Sequence, residues 1–167
     1  MSIGICRIDE KFIHGQTASQ WAHIDGVNRI YIVDDEIAHN DFLARVFVSA
    51  APAGTNVKVW DVATAVEKMK KVEEHPTYRA FIICGTPTPF VKMVDAGVGI
   101  KNICIGNMGN AEGKLQMKPA SPTYVSREQR DELRYLISKG VDCYLQVVPN
   151  DSKVNVLDCP AMKSDNV

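Results

Sequence analysis

No run in this sequence approaches the ~20 consecutive apolar residues that a bilayer-crossing helix needs, so the chain does not read as a membrane-spanning protein. Charge of neither sign is in excess. Nineteen Lys and Arg stand against 20 Asp and Glu, a net charge of −1, which offers no electrostatic grip on nucleic acid or on an anionic membrane surface. No basic stripe or basic helix is visible either. Cysteine is sparse and odd in number: Cys6, Cys84, Cys104, Cys143 and Cys159. Without a C-x-x-C pair they fit neither a disulfide framework nor a zinc site. The first four lie in or beside apolar runs and read as small core residues. No basic region followed by an apolar core opens the chain, so no secretory signal is expected, and a reducing, cytoplasmic setting is the consistent reading. No internal repeat, low-complexity tract or Gly/Ser-rich linker divides the sequence. Its 167 residues, 46% apolar and 23% charged, are expected to form one domain, 1–167, with a sizeable core.

What is present is an alternation of short β-branched runs with helical patterns. Strands are expected at Ile3–Cys6, Arg29–Val33, Val57–Trp60 (short, toward an edge), Ala80–Cys84 (central), Asn102–Ile105 and Val141–Val148. Between them, Thr17–Ala22 opens one helix, and Asn40 caps another through Phe42 and Phe47. Asp61 caps a third carrying Val62, Ala65, Val66 and Met69, and Phe90–Ala96 forms a short fourth. Ser126 and Gln129 have the capping-box spacing ahead of Leu133, Leu136 and Ile137. Continuous apolar strands suit a sheet covered on both sides. The expectation is an α/β fold, a single open, mostly parallel sheet with helices on both faces. Beyond Pro149 the chain turns polar, and 162–167 reads as loosely ordered.

The informative stretch follows the first strand: Arg7-Ile8-Asp9-Glu10-Lys11-Phe12-Ile13-His14-Gly15-Gln16. A strand, a polar connection and a helix start put His14 where open α/β sheets hold ligands. The helix start offers unpaired N–H groups and a partial positive charge to an anion, and Arg7 and Lys11 add two cations. Imidazole, with an ordinary pKa of ~6.5, is a competent nucleophile near neutrality, and a histidine so placed suits phosphoryl transfer through a covalent phosphohistidine. Arg7, Lys11 and the amides from Gly15 onward would stabilise the equatorial oxygens. Asp9 either orients the imidazole or pairs with Arg7, the ion pair being the simpler role. Gly15 permits close backbone approach or is a plain loop glycine, and Phe12 belongs to a docking surface or to the core. Asp34-Asp35-Glu36 with His39 reads as a solvated acidic loop rather than a metal site. Gly106-Asn107-Met108-Gly109 lacks the Lys-Ser/Thr of a P-loop. No metal and no cofactor is expected.

The order Arg-Ile-Asp-x-Lys-x-Ile-His-Gly-Gln resembles the active-site motif of the IIB components (EIIB) of mannose/sorbose-type sugar phosphotransferase systems, and the resemblance runs from Ile3 to about Leu157. It implies a phosphocarrier whose His14 takes a phosphoryl group on Nδ1 from an EIIA phosphoprotein. The group then passes to a sugar held by the membrane EIIC/EIID permease. It also implies peripheral association with that permease and allows a homodimer, since such proteins are often dimeric. Gln16 matches the motif, and Thr86, on the loop after the fourth strand, matches a place where relatives offer a hydroxyl to the phosphoryl group, unless it caps the next turn. Lys11 departs from the commoner Arg and loses the forked grip on phosphate. The alternative is a non-catalytic α/β module that binds an anion or a sugar phosphate and regulates. The sequence does not identify the sugar.

Overall fold

The apolar β-branched runs become the inner strands of one sheet. The computed structural model describes residues 2–164, apart from the side chains of Gln16, Thr17, Ala18 and Asp25. Its elements in chain order are β1 Ile3–Ile8, α1 Gly15–His23, β2 Arg29–Val33, α2 Asp35–Ala38, α3 Asp41–Ser49, β3 Asn56–Trp60, α4 Val62–Glu73 and β4 Ala80–Cys84. They continue with α5 Thr88–Asp95, β5 Asn102–Ile105, β6 Leu115–Gln116, β7 Tyr124–Val125, α6 Arg127–Ser138, β8 Asp142–Leu145, β9 Val154–Asn155 and α7 Pro160–Lys163.

Seven strands form the main sheet in the order β3-β2-β4-β1-β5-β8-β9, and β6 and β7 make a separate antiparallel pair. Every neighbouring pair in the main sheet is parallel except β8 with β9. The period of two along each strand divides the core. Ile30, Ile32, Phe81, Ile83 and Cys104 pack on one face with Trp21 and Ala22 of α1 and, more loosely, Leu43 and Phe47 of α3. Tyr31, Val33, Ile82, Cys84, Ile103 and Ile105 pack on the other with α4, α5 and α6. Helices therefore cover both faces, as expected.

This connectivity places the site. From the end of β1 the chain leaves through α1 toward β2. From the end of the adjacent β4 it leaves through α5, on the opposite face, toward β5 on the far side of β1. The two connections part between β1 and β4, which makes the carboxyl ends of these strands the switch point where ligands bind in open sheets.

The caps follow the sequence. Asn40 Oδ1 accepts from Leu43 N at 3.1 Å, Asp61 Oδ1 from Thr64 N at 2.7 Å, and Ser126 with Gln129 forms a reciprocal capping box. Four expectations need correction. β1 runs two residues further, so Arg7 and Ile8 are strand rather than connection. The acidic segment after β2 is helical, because Asp34 caps Ile37 N at 2.8 Å. The last parallel strand stops at Leu145, where Gln146 and Val147 turn their carbonyls to Arg7. The tail is not loose through Met162: α7 buries Ala161 and Met162 against the core, and Arg134 Nη2 holds the Met162 carbonyl at 2.6 Å. Residues 165–167 of the expected tail lie outside the described residues.

All five thiols are free and buried. Burial pushes Cys6 and Cys143 up to about 12 and Cys104 to about 11, and Cys84 and Cys159 shift the same way. A protonated, inaccessible thiol is a poor nucleophile. Titration with a chromogenic disulfide at about pH 8 should therefore find the cysteines unreactive in the native protein and all five reactive after unfolding.

Candidate functional site

The β1–α1 connection is a tight, strained turn. Asp9 N extends the sheet by donating to Cys84 O at 2.9 Å, and Phe12 N folds back onto Asp9 O at 3.0 Å. Closing this turn forces Phe12 to φ +52° and Gly15 to φ +50°. A left-handed backbone is unfavourable for a residue with a Cβ by roughly 1–2 kcal/mol, so glycine at 15 answers a local need, while Phe12 must be held by its packing. Its ring lies over Gly85, where a Cβ would come within 2.9 Å of Cζ, and meets Phe47 edge-on at 5.8 Å. Phe12 is half-buried against the core rather than free on the surface.

His14 occupies the cap position of α1 in extended conformation, φ −144° and ψ 134°, and its side chain makes no capping bond. The ring is half-buried. Its Nδ1 lies 3.5 Å from the Phe12 carbonyl, the outer limit for a hydrogen bond and hence a weak restraint. No acidic residue stands in the first turn of α1, so nothing there offsets the positive end of the helix.

Arg7 is not where a phosphate ligand would stand. It is 2% exposed and paired with Asp9, 1% exposed, at 3.0 Å. Its Nη1 donates to Gln146 O at 2.7 Å and Cys104 Sγ at 3.0 Å, and its Nη2 also donates to Val147 O at 2.7 Å. The guanidinium lies 4.6 Å from the Trp21 ring centre. Because the first two residues of the motif, Arg7 and Ile8, belong to β1, the arginine points into the sheet face and its charge serves the protein's own acceptors. Asp9 has the same inward role: Oδ1 accepts from Lys11 N at 3.0 Å, and Asn107 Nδ2 donates to Oδ2 at 3.1 Å and Oδ1 at 3.3 Å. The expectation that Arg7 lines the phosphoryl group is revised to an internal brace beneath the turn, whereas the ion pair expected for Asp9 is present.

The remaining expected residues divide. Lys11 is exposed, and its ammonium has no hydrogen bond or ion pair among the described residues. Thr86 is exposed and does not cap α5, whose cap position is Pro87. Gln16 lies in the first turn of α1, but its side chain lies outside the described residues. The acidic loop is occupied with structure: Asp35 Oδ1 accepts from Val62 N at 2.8 Å, and His39 Nε2 meets Asp61 Oδ2 at 3.3 Å. Hydrogen bonds from Thr64, then burial in the opposite sense and the nearby His39, leave the Asp61 carboxyl below its usual range. No group of three or more His, Cys, Asp or Glu is placed to hold a metal among the described residues.

Sequence reasoning misses Gly106 and Asn107. Their stretch lacks the mark of a P-loop and is assigned no role from the sequence, yet they form the floor and one wall of the brace. A Cβ on Gly106 would collide with the Arg7 guanidinium, 2.6 Å from Cζ, and stand 2.8 Å from Asp9 Oδ2. The available signal was a Gly-Asn pair directly after a buried strand, at the carboxyl edge that already carried the motif.

The family described as "PTS system sorbose subfamily IIB component" matches residues 3–167. The chain is 30% identical over 158 residues to the N-acetylgalactosamine-specific phosphotransferase enzyme IIB component 1 of Escherichia coli (strain K12), spanning 94% of this chain and 98% of that protein. It is 32% identical to the mannose-specific EIIAB component of the same organism, over 95% of this chain and 48% of that protein. The crystal structure of the IIBSor domain of the sorbose permease from Klebsiella pneumoniae superposes with a TM-score of 0.84 at 32% identity, covering 95% of each chain.

The floor of the brace gives the sharpest structural test. Gly106→Ala should destabilise the protein by about 1–3 kcal/mol, the range for overpacking a filled interior. Gly113→Ala, strained by its φ of +80° but with open space around the new methyl, should leave the 9–14 loop unchanged. Chemical denaturation, with amide shifts of residues 9–14 as the local readout, checks both.

Proposed function

The chain belongs to the sorbose subfamily of phosphotransferase-system IIB components, and from that membership we propose that His14 is the residue on which this phosphocarrier holds its phosphoryl group. The observation that carries the reading is the half-buried imidazole at the cap of α1, released from capping and facing a helix start with no acidic residue in its first turn.

The donor is a phosphohistidine on an EIIA protein or domain; the E. coli mannose relative combines A and B in its own name, and this chain spans about half of it. The neutral imidazole of His14 attacks phosphorus, a new N–P bond forms as the donor's N–P bond breaks, and the donor imidazole leaves with the electron pair. In the second half-reaction a sugar hydroxyl held by the EIIC/EIID permease attacks, His14 leaves, and the hydroxyl proton goes to the departing imidazole or to water. The phosphoryl group sits on Nδ1, so the long contact from Nδ1 to the Phe12 carbonyl must open by rotation of the ring. Catalysis of such a transfer rests on positioning and charge stabilisation. Amides at the start of α1, the Lys11 ammonium and the Thr86 hydroxyl supply these, while Arg7 and Asp9 act from beneath by shaping the loop. No helix of the described residues is long and apolar enough to cross a membrane. From its family membership, the carrier reaches its sugar by docking against the permease from the cytoplasmic side.

Incubation with labelled phosphoenolpyruvate, the general phosphotransferase proteins and a cognate EIIA should yield acid-labile, alkali-stable label on His14, absent from His14→Ala. Nitrogen-15 and phosphorus NMR should place it on Nδ1. Label on another residue would exclude this assignment. Lys11→Ala should slow transfer roughly tenfold, about 1.4 kcal/mol in the barrier, at unchanged melting temperature, and Lys11→Arg should match or exceed the wild-type rate. An equal rate for Lys11→Ala would remove lysine from the site.

A further inference from the structure

We propose that Asn107 is a positioning residue for phosphoryl exchange, acting on the His14 loop through the carboxylate of Asp9; this rests on the reading of His14 given above. Asn107 grips the β1–α1 turn twice. Its side-chain Nδ2 donates to both oxygens of Asp9, at 3.1 and 3.3 Å, and its backbone carbonyl accepts from Glu10 N at 2.9 Å. The next link is as short: Asp9 Oδ1 receives Lys11 N, and Asp9 O receives Phe12 N, both at 3.0 Å. Those two bonds define the turn whose far end is His14.

The turn needs such a restraint because Phe12 sits at φ +52°, and strain of that kind persists only where the surroundings over-determine it. Arg7 alone does not supply this. It meets Asp9 through Nη2 only and is tied to the segment after β8 through the Gln146 and Val147 carbonyls. Asn107 adds the anchor from the other side, the loop after β5. That loop is itself pinned by Gly106 N to Ile8 O at 2.8 Å and by the Thr123 hydroxyl to Gly106 O at 2.6 Å.

The residue type is also informative. The groups around the Asp9 carboxylate are Arg7 from β1, the Cys104 thiol of β5 bonded to Arg7, and Glu10 and Lys11 in the turn. A second charge at 107 would unbalance a buried pair that is already neutral. An amide donates without adding one.

The experiment is single-turnover transfer from phosphorylated EIIA to the full chain, for wild type, Asn107→Ala and Asn107→Asp. Half-saturating donor concentration and melting temperature are measured at each pH. With a loosened turn the rate at saturating donor should fall roughly 10- to 100-fold, the scale of a misplacement near 1 Å, while half-saturation stays within about twofold. Asn107→Asp keeps the shape and separates positioning from folding. At about pH 8 its carboxylate repels Asp9 and transfer should be slow. Toward about pH 5.5 the added carboxyl, its pKa raised by the neighbouring charge, protonates and donates as the amide did, so the variant-to-wild-type ratio should rise. Folded variants that transfer at the wild-type rate would overturn the proposal. So would a loss confined to donor affinity, or an Asn107→Asp ratio flat across pH. Wild-type protein that takes no label on His14 would instead defeat the underlying assignment and this proposal with it.

Discussion

An arginine and an aspartate removed from water together must find every remaining partner inside the protein, because neither ion recovers its hydration from the other alone. The Arg7–Asp9 pair meets that demand by gathering acceptors and donors from three loops at one edge of the sheet. Arg7 takes the Gln146 and Val147 carbonyls after β8, and Asp9 takes Asn107 after β5 and the Lys11 amide after β1. The pair thus sets where those loops lie relative to one another. Gly106 is the steric condition for it, since the guanidinium occupies the space a side chain would need.

The consequence at the surface is a division of labour between the two cations of the motif. The one in the strand is internal and structural, and the one in the turn, Lys11, keeps its charge toward solvent. This arrangement keeps the His14 loop both strained and fixed. Phe12 is forced to a positive φ, its ring is seated over Gly85 and against Phe47, and the chain emerges extended at His14 before α1 begins. A phosphocarrier must meet two different proteins with one side chain. A loop rigid below and accessible above satisfies both, because positioning is supplied from inside and leaves the outer surface for partners.

The sheet connectivity explains why these loops meet at all. Two adjacent strands, β1 and β4, send their chains to opposite faces, which opens a crevice at their carboxyl ends. The helices that follow use their N-termini at that edge and their apolar sides on the two halves of the core. The same family geometry in the sorbose IIB structure shows that this frame tolerates about two thirds of the residues changing.

Much of this was legible in the residues themselves. Strand runs such as Ala80–Cys84, the caps at Asn40, Asp61 and Ser126, and the motif around His14 are local signals, and local signals survive folding because each is decided within a few positions. The role of Arg7 was not legible. Whether a cation next to a histidine faces solvent or the sheet depends on one residue of strand register, and here β1 extends two residues beyond its apolar run. Gly106, Asn107 and the tail helix were hidden for a related reason. Their partners, Asp9, Arg7 and Arg134, are distant in sequence, and although a Gly-Asn pair after a buried strand marks the place, local pattern does not say which residues it will meet when the sheet closes. The sequence by itself thus determined the architecture and the place of the His14 imidazole at the start of α1; tertiary structure alone decided which charges are buried, since burial depends on what the rest of the chain brings alongside.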